Sequence, residues 1–394
     1  MHYQFEQPIP LSLYIHIPWC VKKCPYCDFN SHAKGNGIPE DAYVDALLED
    51  LEQDLPLIWG RRIVSIFIGG GTPSLFSGTA MARLLQGIRA RLNFAPSIEV
   101  TMEANPGTVE HDNFAGYREA GINRLSLGVQ SLNNDKLKRL GRIHSSEEVF
   151  AAVETAKTAG FDNINLDIMF GLPEQSIDEG LADLRGALAL APQHFSWYQL
   201  TLEPNTVFYK QPPPLPADDT IWQLQTEGQA LLTKRGYQQY EVSAYSKPGR
   251  ECQHNLNYWR FGDYLGIGAG AHSKITDMAR GVIIRQWKVR LPGSYLAADK
   301  PFIAEKKSIT PGECVFEFML NRLRLNQPVA FSEFEQYCGL QRAVLREQLD
   351  QLANDNLLRL SSEGFTLTDL GKRFLNDVVA SFIEANGVVV VGSG

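Results

Sequence analysis

The sequence predicts an α/β fold in which parallel strands alternate with helices, and three observations support it. Between residues 11 and 203, apolar strand-like segments alternate with helix-like segments. Ser145 and Ser176 are each followed three residues later by glutamate, which is the capping-box signal for a helix start. The polar motifs fall just after predicted strands, where functional residues of parallel sheets gather. A barrel and an open sheet both fit these observations.

The elements can be assigned in order along the chain. Predicted strands cover 11–17, 64–70, 97–103, 123–129, 163–170 and 195–203. Predicted helices between them cover 40–55, 78–92, 110–120, 145–160 and 178–190. After a stiff proline-rich connector at 211–216, we expect a helix (219–235), a short strand (240–245) and a loop-rich stretch (246–300).

The pattern changes near residue 308. Helices are predicted at 312–324, 331–338 and 341–355, followed by a two-strand ribbon within 356–368 and a helix to about 384. This order resembles a winged-helix module, but Asp350, Asp355, Glu363 and Asp369 make it weakly charged or acidic, which favours a packing or protein-contact role over DNA binding. The predicted division is 1–210 (barrel), 211–305 (accessory segment), 306–384 (winged-helix-like) and 385–394 (tail).

Composition limits the class of protein. The 394 residues carry a formal net charge of −8, so no global basic field recruits nucleic acid. We find no secretory signal and no apolar run long enough to cross a membrane. Six cysteines are too sparse for a disulfide scaffold. These features predict a soluble cytoplasmic protein in which clustered cysteines serve a metal.

Cys20, Cys24 and Cys27 form the cluster, in the segment "CVKKCPYC". Thiolates suit zinc or iron–sulfur clusters. A zinc site would need a fourth ligand, for which the candidates are His16, Asp28 and His32. Against zinc, no second ligand pair follows at a finger-like distance. In a [4Fe–4S] cluster, three cysteines would leave one iron open for chemistry.

This spacing after a first strand, with Tyr26 before the third cysteine and "GGGTP" at 69–73, resembles the radical S-adenosylmethionine (SAM) superfamily. The resemblance implies a partial (β/α)₆ TIM-like barrel in which the three cysteines hold a [4Fe–4S] cluster. SAM would chelate its fourth iron and be cleaved to methionine and a 5′-deoxyadenosyl radical. "YIHIPWC", "EANPGT", "GVQS", "LGRIH" and "NLDIMFGLPEQ" resemble the branch of oxygen-independent coproporphyrinogen III dehydrogenase (HemN), and more closely the HemW haem chaperones.

The resemblance also implies SAM contacts, at Tyr14, Tyr26, Gly70, Gly71, Thr72, Glu103, Gln130, Arg142 and Asp167. The fork of the Arg142 guanidinium suits a carboxylate. Asp167 lies in an apolar strand and needs a partner, which we expect to be a ligand or Arg142. Simpler explanations stay open: the glycines could form a tight turn, Tyr14 could be core, and Arg142 could make a surface ion pair.

Two differences separate the chain from the porphyrinogen enzyme. Phe29 stands where that enzyme has a fourth cysteine, and because the cysteine loop begins at residue 20 we do not expect that enzyme's N-terminal extension. In addition, His254, Asn255 and Tyr258 form an H-N-x-x-Y pattern that resembles the haem-binding motif of HemW, with Cys252 as a second candidate ligand and His272 more simply a loop residue. Coproporphyrinogen III dehydrogenase activity is therefore not expected.

The expected function is that of a haem chaperone that passes haem to acceptor haemoproteins such as membrane respiratory enzymes. A homodimer is a further possibility, and any membrane contact would come through partners. One alternative is a radical SAM oxidoreductase that acts on coproporphyrinogen III. Another is a winged-helix redox regulator of transcription, which the acidic charge disfavours.

Overall fold

Six parallel strands in chain order form the centre of the computed structural model, which describes residues 2–35, 37–107, 113–297 and 301–385. They are β1 (Leu11–Ile17), β2 (Arg62–Gly70), β3 (Asn93–Ala104), β4 (Arg124–Gln130), β5 (Ile164–Phe170) and β6 (His194–Gln199). Each strand pairs in parallel with the next. Because the order never reverses, the sheet winds in one direction, as in a barrel, and the predicted partial (β/α)₆ barrel is confirmed.

The helices around this sheet are Glu40–Ile58, Gly78–Arg89, Phe114–Ala120, Asn134–Arg139, Ser146–Thr158, Ile177–Ala189, Val207–Lys210 and Asp218–Lys234. Both predicted capping boxes form, at Ser145 with Glu148 and at Ser176 with Glu179. The six-residue helix Asn134–Arg139 was not predicted, because it is too short to show helical periodicity. The start of the predicted helix 110–120 lies outside the described residues.

The prediction that 246–300 is loop-rich is wrong. This region contains the helices Gln253–Trp259 and Pro292–Tyr295 and the strands Asp263–Ile267, His272–Asp277 and Val282–Lys288, and it leads into Ile303–Ser308. Asp263–Ile267 pairs in parallel with β1, and the next three strands extend the sheet antiparallel. The strands are short, and Gly268 and Gly270 of "GIGAG" lie between two of them, so the local pattern is typical of a loop.

The opposite edge of the sheet also differs from the prediction. Two short strands, Gln238–Gln239 and Ala244–Ser246, replace the single strand expected at 240–245. Ala244–Ser246 pairs antiparallel with β6. Side chains from the segment after 210, such as Leu224, Ile267 and Tyr295, are buried in the same apolar cluster as the barrel strands.

The C-terminal module is built around a second apolar cluster, which contains Phe318, Phe334 and Phe382 and also takes in Phe261 and Ile283 from the preceding segment. Its helices are Pro311–Arg322, Phe331–Cys338, Arg346–Asn354, Asp369–Arg373 and Leu375–Ala385, and its strands are Val329–Ala330, Leu358–Leu360 and Gly364–Leu367. The predicted ribbon is therefore part of a three-stranded sheet. Residues 386–394 of the predicted tail lie outside the described residues. Among the helices that the structure describes, none is long and apolar enough to cross a membrane.

A buried charge network fastens the added strands to the barrel. Lys288 forms ion pairs with Asp50 and Asp54 of the helix Glu40–Ile58, and all three side chains are almost fully enclosed. The Tyr295 hydroxyl donates to Asp50 at 2.6 Å, and the Gln286 amide donates to Asp54 at 2.9 Å. Such a network is costly to break, because each remaining charge would be buried without a partner.

We expect Lys288→Met to lower the free energy of unfolding by about 3–5 kcal/mol, because Asp50 and Asp54 would lose their cation. The exposed Lys306 on the neighbouring strand provides the matched control, and Lys306→Met should change the free energy by less than about 0.5 kcal/mol. Urea denaturation followed by circular dichroism measures both. Equal effects of the two substitutions would contradict the role of the buried network.

Candidate functional site

The predicted polar residues converge at the carboxyl ends of the barrel strands. Gly70 ends β2, Gln130 ends β4, and Glu103 is the penultimate residue of β3. The loop that carries the three cysteines follows β1 directly, on the same side. This is the edge where parallel barrels place their functional groups.

The cysteine loop, residues 20–32, is closed at its base by backbone hydrogen bonds. The short strand Trp19–Cys20 pairs with His32–Ala33. The Lys34 amide donates to the Cys20 carbonyl at 2.9 Å, and the Cys27 amide donates to the Cys24 carbonyl at 3.2 Å. All three thiols are free and half-buried. The loop therefore presents three sulfur ligands from a fixed base.

Asn30 fastens this loop to the strands added after the barrel. Its side-chain amide donates to the carbonyl oxygens of Ala269 and Arg290, both at 2.9 Å. Its own carbonyl lies 2.8 Å from His16 Nε2. The sequence reasoning missed Asn30, because nothing in its neighbourhood indicates that its partners come from residues more than 200 positions away.

Arg142 brings a fixed positive charge to the cysteines. Its Nη1 lies 3.7 Å from Cys24 Sγ, and its Nη2 donates to Asn105 Oδ1 at 2.6 Å and to the Gly128 carbonyl at 2.7 Å. Its Nε is buried and has no hydrogen-bond partner among the described residues. Arg142 is thus positioned by neutral groups and keeps bonding capacity for an anion. Asn105 is a second residue that the sequence reasoning missed, although it lies in the motif "EANPGT".

The three sulfurs suit a cluster better than a single metal ion. Burial raises the pKa of the Cys20 and Cys27 thiols, so a bound metal would have to supply the charge that keeps them ionised. Within the described residues, no three His, Cys, Asp or Glu side chains are placed to share one ion. Each cysteine of a [4Fe–4S] cluster binds a different iron, and three free thiols on one loop are a donor set that fits such a cluster.

The glycines after β2 have a packing reason. Gly70 has φ of +112°, and a Cβ there would lie 2.5 Å from the His16 ring. A Cβ on Gly71 would lie 2.5 Å from the Trp19 carbonyl oxygen. The amides of Gly70, Gly71 and Thr72 are committed, donating to Glu103, Ile17 and Trp19 respectively. Because these amides are already bonded, the turn would bind an ammonium ligand through its hydrogen-bond acceptors.

Two carboxyl groups, those of Glu103 and Asp167, lie on β3 and β5. Burial, and then the nearby Asp167 charge, raise the pKa of Glu103 to about 7. Asp167 accepts hydrogen bonds from Ser126 at 3.1 Å and Asn165 at 2.8 Å. Arg142, the protein partner expected for Asp167, is not among the donors to this carboxylate. The Ser126 hydroxyl on β4 and the Asn165 amide on β5 donate to it instead.

The remaining predicted SAM residues also line this end of the barrel. Gln130 adopts a left-handed conformation with φ of +69° and accepts a 2.9 Å hydrogen bond from Tyr198. A non-glycine residue in this region is strained, and strain of this kind concentrates at binding sites. The Tyr26 ring lies 6.3 Å from that of Phe208, and the Tyr14 hydroxyl lies 3.0 Å from His16 Nδ1.

The predicted haem residues lie elsewhere, on the helix Gln253–Trp259. His254 is only 7% exposed. Its ring lies 6.3 Å from that of Tyr14 and 5.1 Å from that of Phe67, and its Nδ1 is 3.3 Å from Ser65 Oγ. These neighbours lie in the middle of β1 and β2, whereas the cysteine loop follows the carboxyl end of β1.

Backbone hydrogen bonds hold the start of this helix in place. Glu99 accepts hydrogen bonds from the amides of Gln253 at 2.9 Å and His254 at 3.3 Å, which fixes the start of the helix. Burial lowers the pKa of His254 to about 3. Asn255 is half-buried, and the Tyr258 hydroxyl lies 3.5 Å from that of Tyr264. Since His254 Nδ1 lies against Ser65 Oγ, an iron-ligand role for this side chain would fall to Nε2.

Comparisons with known proteins fit the fold and the cysteine loop. The family model "Radical SAM superfamily" matches residues 14–185, and the model "HemN C-terminal domain" matches 309–374. The "Heme chaperone HemW" of Escherichia coli is 52% identical over 95% of this chain and 98% of its own. The protein of the same name from Bacillus subtilis is 35% identical over 94% of this chain and 99% of its own.

A solved structure agrees with these sequence matches. Coproporphyrinogen III oxidase (HemN) from Escherichia coli, described as a radical SAM enzyme, superposes with a TM-score of 0.80 at 26% identity. The match covers 95% of this chain and 90% of that one. The shared architecture therefore includes the accessory strands and the C-terminal module as well as the barrel.

Gly70→Ala should destabilise the fold by roughly 2–4 kcal/mol, since the positive φ and the contact with His16 both oppose a Cβ. The His16 ring cannot move aside without losing its contacts with Tyr14 and Asn30. The control is Gly293→Ala, whose Cβ would meet nothing within 4 Å. Thermal melting of both variants tests this, and a melting temperature of Gly70→Ala equal to that of Gly293→Ala would count against the packing explanation.

Proposed function

The chain belongs to the HemW family within the radical SAM superfamily, and from this premise we propose that it is a haem chaperone that binds haem and transfers it to acceptor haemoproteins. The observation that carries the proposal is the 52% identity to the Escherichia coli haem chaperone over nearly the whole length of both chains. Phe29 supports it, because this side chain, 59% exposed, takes the place of the fourth cysteine of the porphyrinogen enzyme.

We propose that Cys20, Cys24 and Cys27 hold three irons of a [4Fe–4S] cluster. When bound, the reduced cluster supplies an electron for cleavage of SAM. The chain's own contribution is positional: Asn30 holds the loop against the accessory strands, and the Arg142 guanidinium next to Cys24 offsets part of the cluster's negative charge.

We propose that SAM lies between the cysteine loop and the strand ends, held by Tyr14, Tyr26, Gly70, Gly71, Thr72, Glu103, Gln130, Arg142 and Asp167. Glu103 accepts a hydrogen bond from the ligand's ribose or ammonium group, and the cationic ammonium would lower its raised pKa. The Arg142 Nε, buried without a partner in the described structure, is the donor that suits the ligand's carboxylate.

The assignment of haem to His254, Asn255 and Tyr258 remains a proposal with a condition. The helix Gln253–Trp259 is held by Ser65 and Glu99, so His254 would have to offer Nε2, and not Nδ1, to the iron. Its contact with Tyr14 is a physical link between the proposed haem motif and the proposed SAM site.

We further propose that the chain works in the cytoplasm, with a homodimer as one candidate state. It would reach membrane respiratory haemoproteins through contacts with them. Residues 1–210 would bind cluster and SAM, 211–305 would carry the haem motif, and 306–384 would serve protein contacts. Haem release would be gated by the cluster together with SAM.

Haem titration followed by absorbance, then mixing with an apo-haemoprotein acceptor, tests the proposal. The reconstituted chain should bind about one haem and lose it to the acceptor faster than free haem is captured from buffer. Cys24→Ala should slow that transfer, with Cys314→Ala as the matched control, since Cys314 is buried in the C-terminal module. Equal transfer by both variants would disprove the gating, and no haem binding by the unaltered chain would disprove the chaperone function.

The alternative is oxidation of coproporphyrinogen III, which the structural match to HemN favours. Incubating the reduced, reconstituted chain with SAM and coproporphyrinogen III separates the two functions. The chaperone proposal expects no protoporphyrinogen IX above the background of a sample without SAM. Multiple turnovers to that product would replace the proposal by the enzymatic one.

A further inference from the structure

We propose that haem docks on an apolar rim around the cysteine loop, formed by Val21, Phe29, Ile143, Val207 and Tyr209. This inference rests on the proposed haem-chaperone function and places its cargo at a site separate from the H-N-x-x-Y helix. The five side chains are between 41% and 62% exposed, which is unusual for large apolar groups concentrated around one loop.

Three neighbouring segments build the rim. Val21 and Phe29 belong to the cysteine loop itself, and Ile143 follows Arg142, whose guanidinium reaches Cys24. Val207 and Tyr209 flank Phe208, whose amide donates to the Pro25 carbonyl at 3.0 Å. The Phe208 ring also packs against that of Tyr26. All three rim segments therefore contact the middle of the cysteine loop, at Cys24, Pro25 and Tyr26.

The chemistry of the rim matches a haem. Haem is a flat, largely apolar macrocycle, and its binding is more favourable the more exposed apolar surface it covers. Apolar side chains that lie around one loop can be covered together, whereas scattered ones cannot. Lys22 and Lys210 are exposed in the same two segments and supply positive charge for the two propionates. The exposed Tyr209 carries a phenol oxygen, a type of ligand that binds haem iron.

Accessibility separates the rim from the helix Gln253–Trp259. His254 is 7% exposed and lies against Tyr14, Phe67 and Ser65, whereas the side chains of the rim are open to solvent. The rim needs no rearrangement. Because Val21 and Phe29 belong to the cysteine loop, a haem on the rim would lie close to the cluster that the cysteines hold.

The test compares haem affinity in variants of the full chain, measured by absorbance and by quenching of tryptophan fluorescence. Phe29→Glu combined with Ile143→Glu should weaken binding by about tenfold or more, because a carboxylate repels both the macrocycle and the propionates. The double variant could weaken haem binding simply by losing the cluster. Val207 lies outside the cysteine loop, so Val207→Glu should weaken haem binding without that loss. The control is Trp59→Glu, since Trp59 is 83% exposed at the opposite end of the barrel.

The outcomes separate the possibilities. Weaker haem binding in the rim variants, with unchanged circular dichroism and unchanged affinity in Trp59→Glu, supports the proposal. Unchanged affinity in the rim variants together with loss in His254→Ala overturns it in favour of the helix. Normal affinity but failed transfer to the acceptor also overturns it, because the rim would then be a protein-docking surface. If the unaltered chain binds no haem, the proposed function itself fails.

Discussion

The attachment of the cysteine loop is the constraint on which the rest of the site depends. A loop with three thiols has no fixed shape of its own, and here its shape comes from bonds to distant parts of the chain. Asn30 bonds to Ala269 and Arg290, and the turn after β2 bonds to Ile17 and Trp19. The strands added after the barrel are thus needed to hold the loop, and the buried pairs of Lys288 hold those strands.

Charge is distributed unevenly along the inside of the barrel. At the cysteine end, Arg142 is held by neutral groups, and Glu103 has a pKa raised to about 7, so both can respond to a charged ligand. At the other end, Glu99 binds the start of the helix Gln253–Trp259, near the fully buried Arg124. One end is therefore built to accept ligands, whereas the other is closed by the protein's own groups.

The sequence was sufficient for the barrel strands and the helix caps, because alternation, apolar runs and capping boxes are local signals. It failed at 246–300, where short strands pair with β1 and with each other across long separations. The position of the cysteines and the residues near them was predictable from spacing and resemblance. The role of Asn30, the neutral partners of Asp167 and the burial of His254 were not, since each depends on contacts that only the folded chain creates.

If three cysteines hold the cluster, its remaining iron is left for SAM. Mössbauer spectroscopy of protein reconstituted with ⁵⁷Fe, with and without SAM, can observe that iron. We expect one iron of the four to change its isomer shift when SAM is added, while the three cysteine-bound irons do not. Identical spectra in the two samples, or a chain that takes up zinc and assembles no cluster, would contradict it.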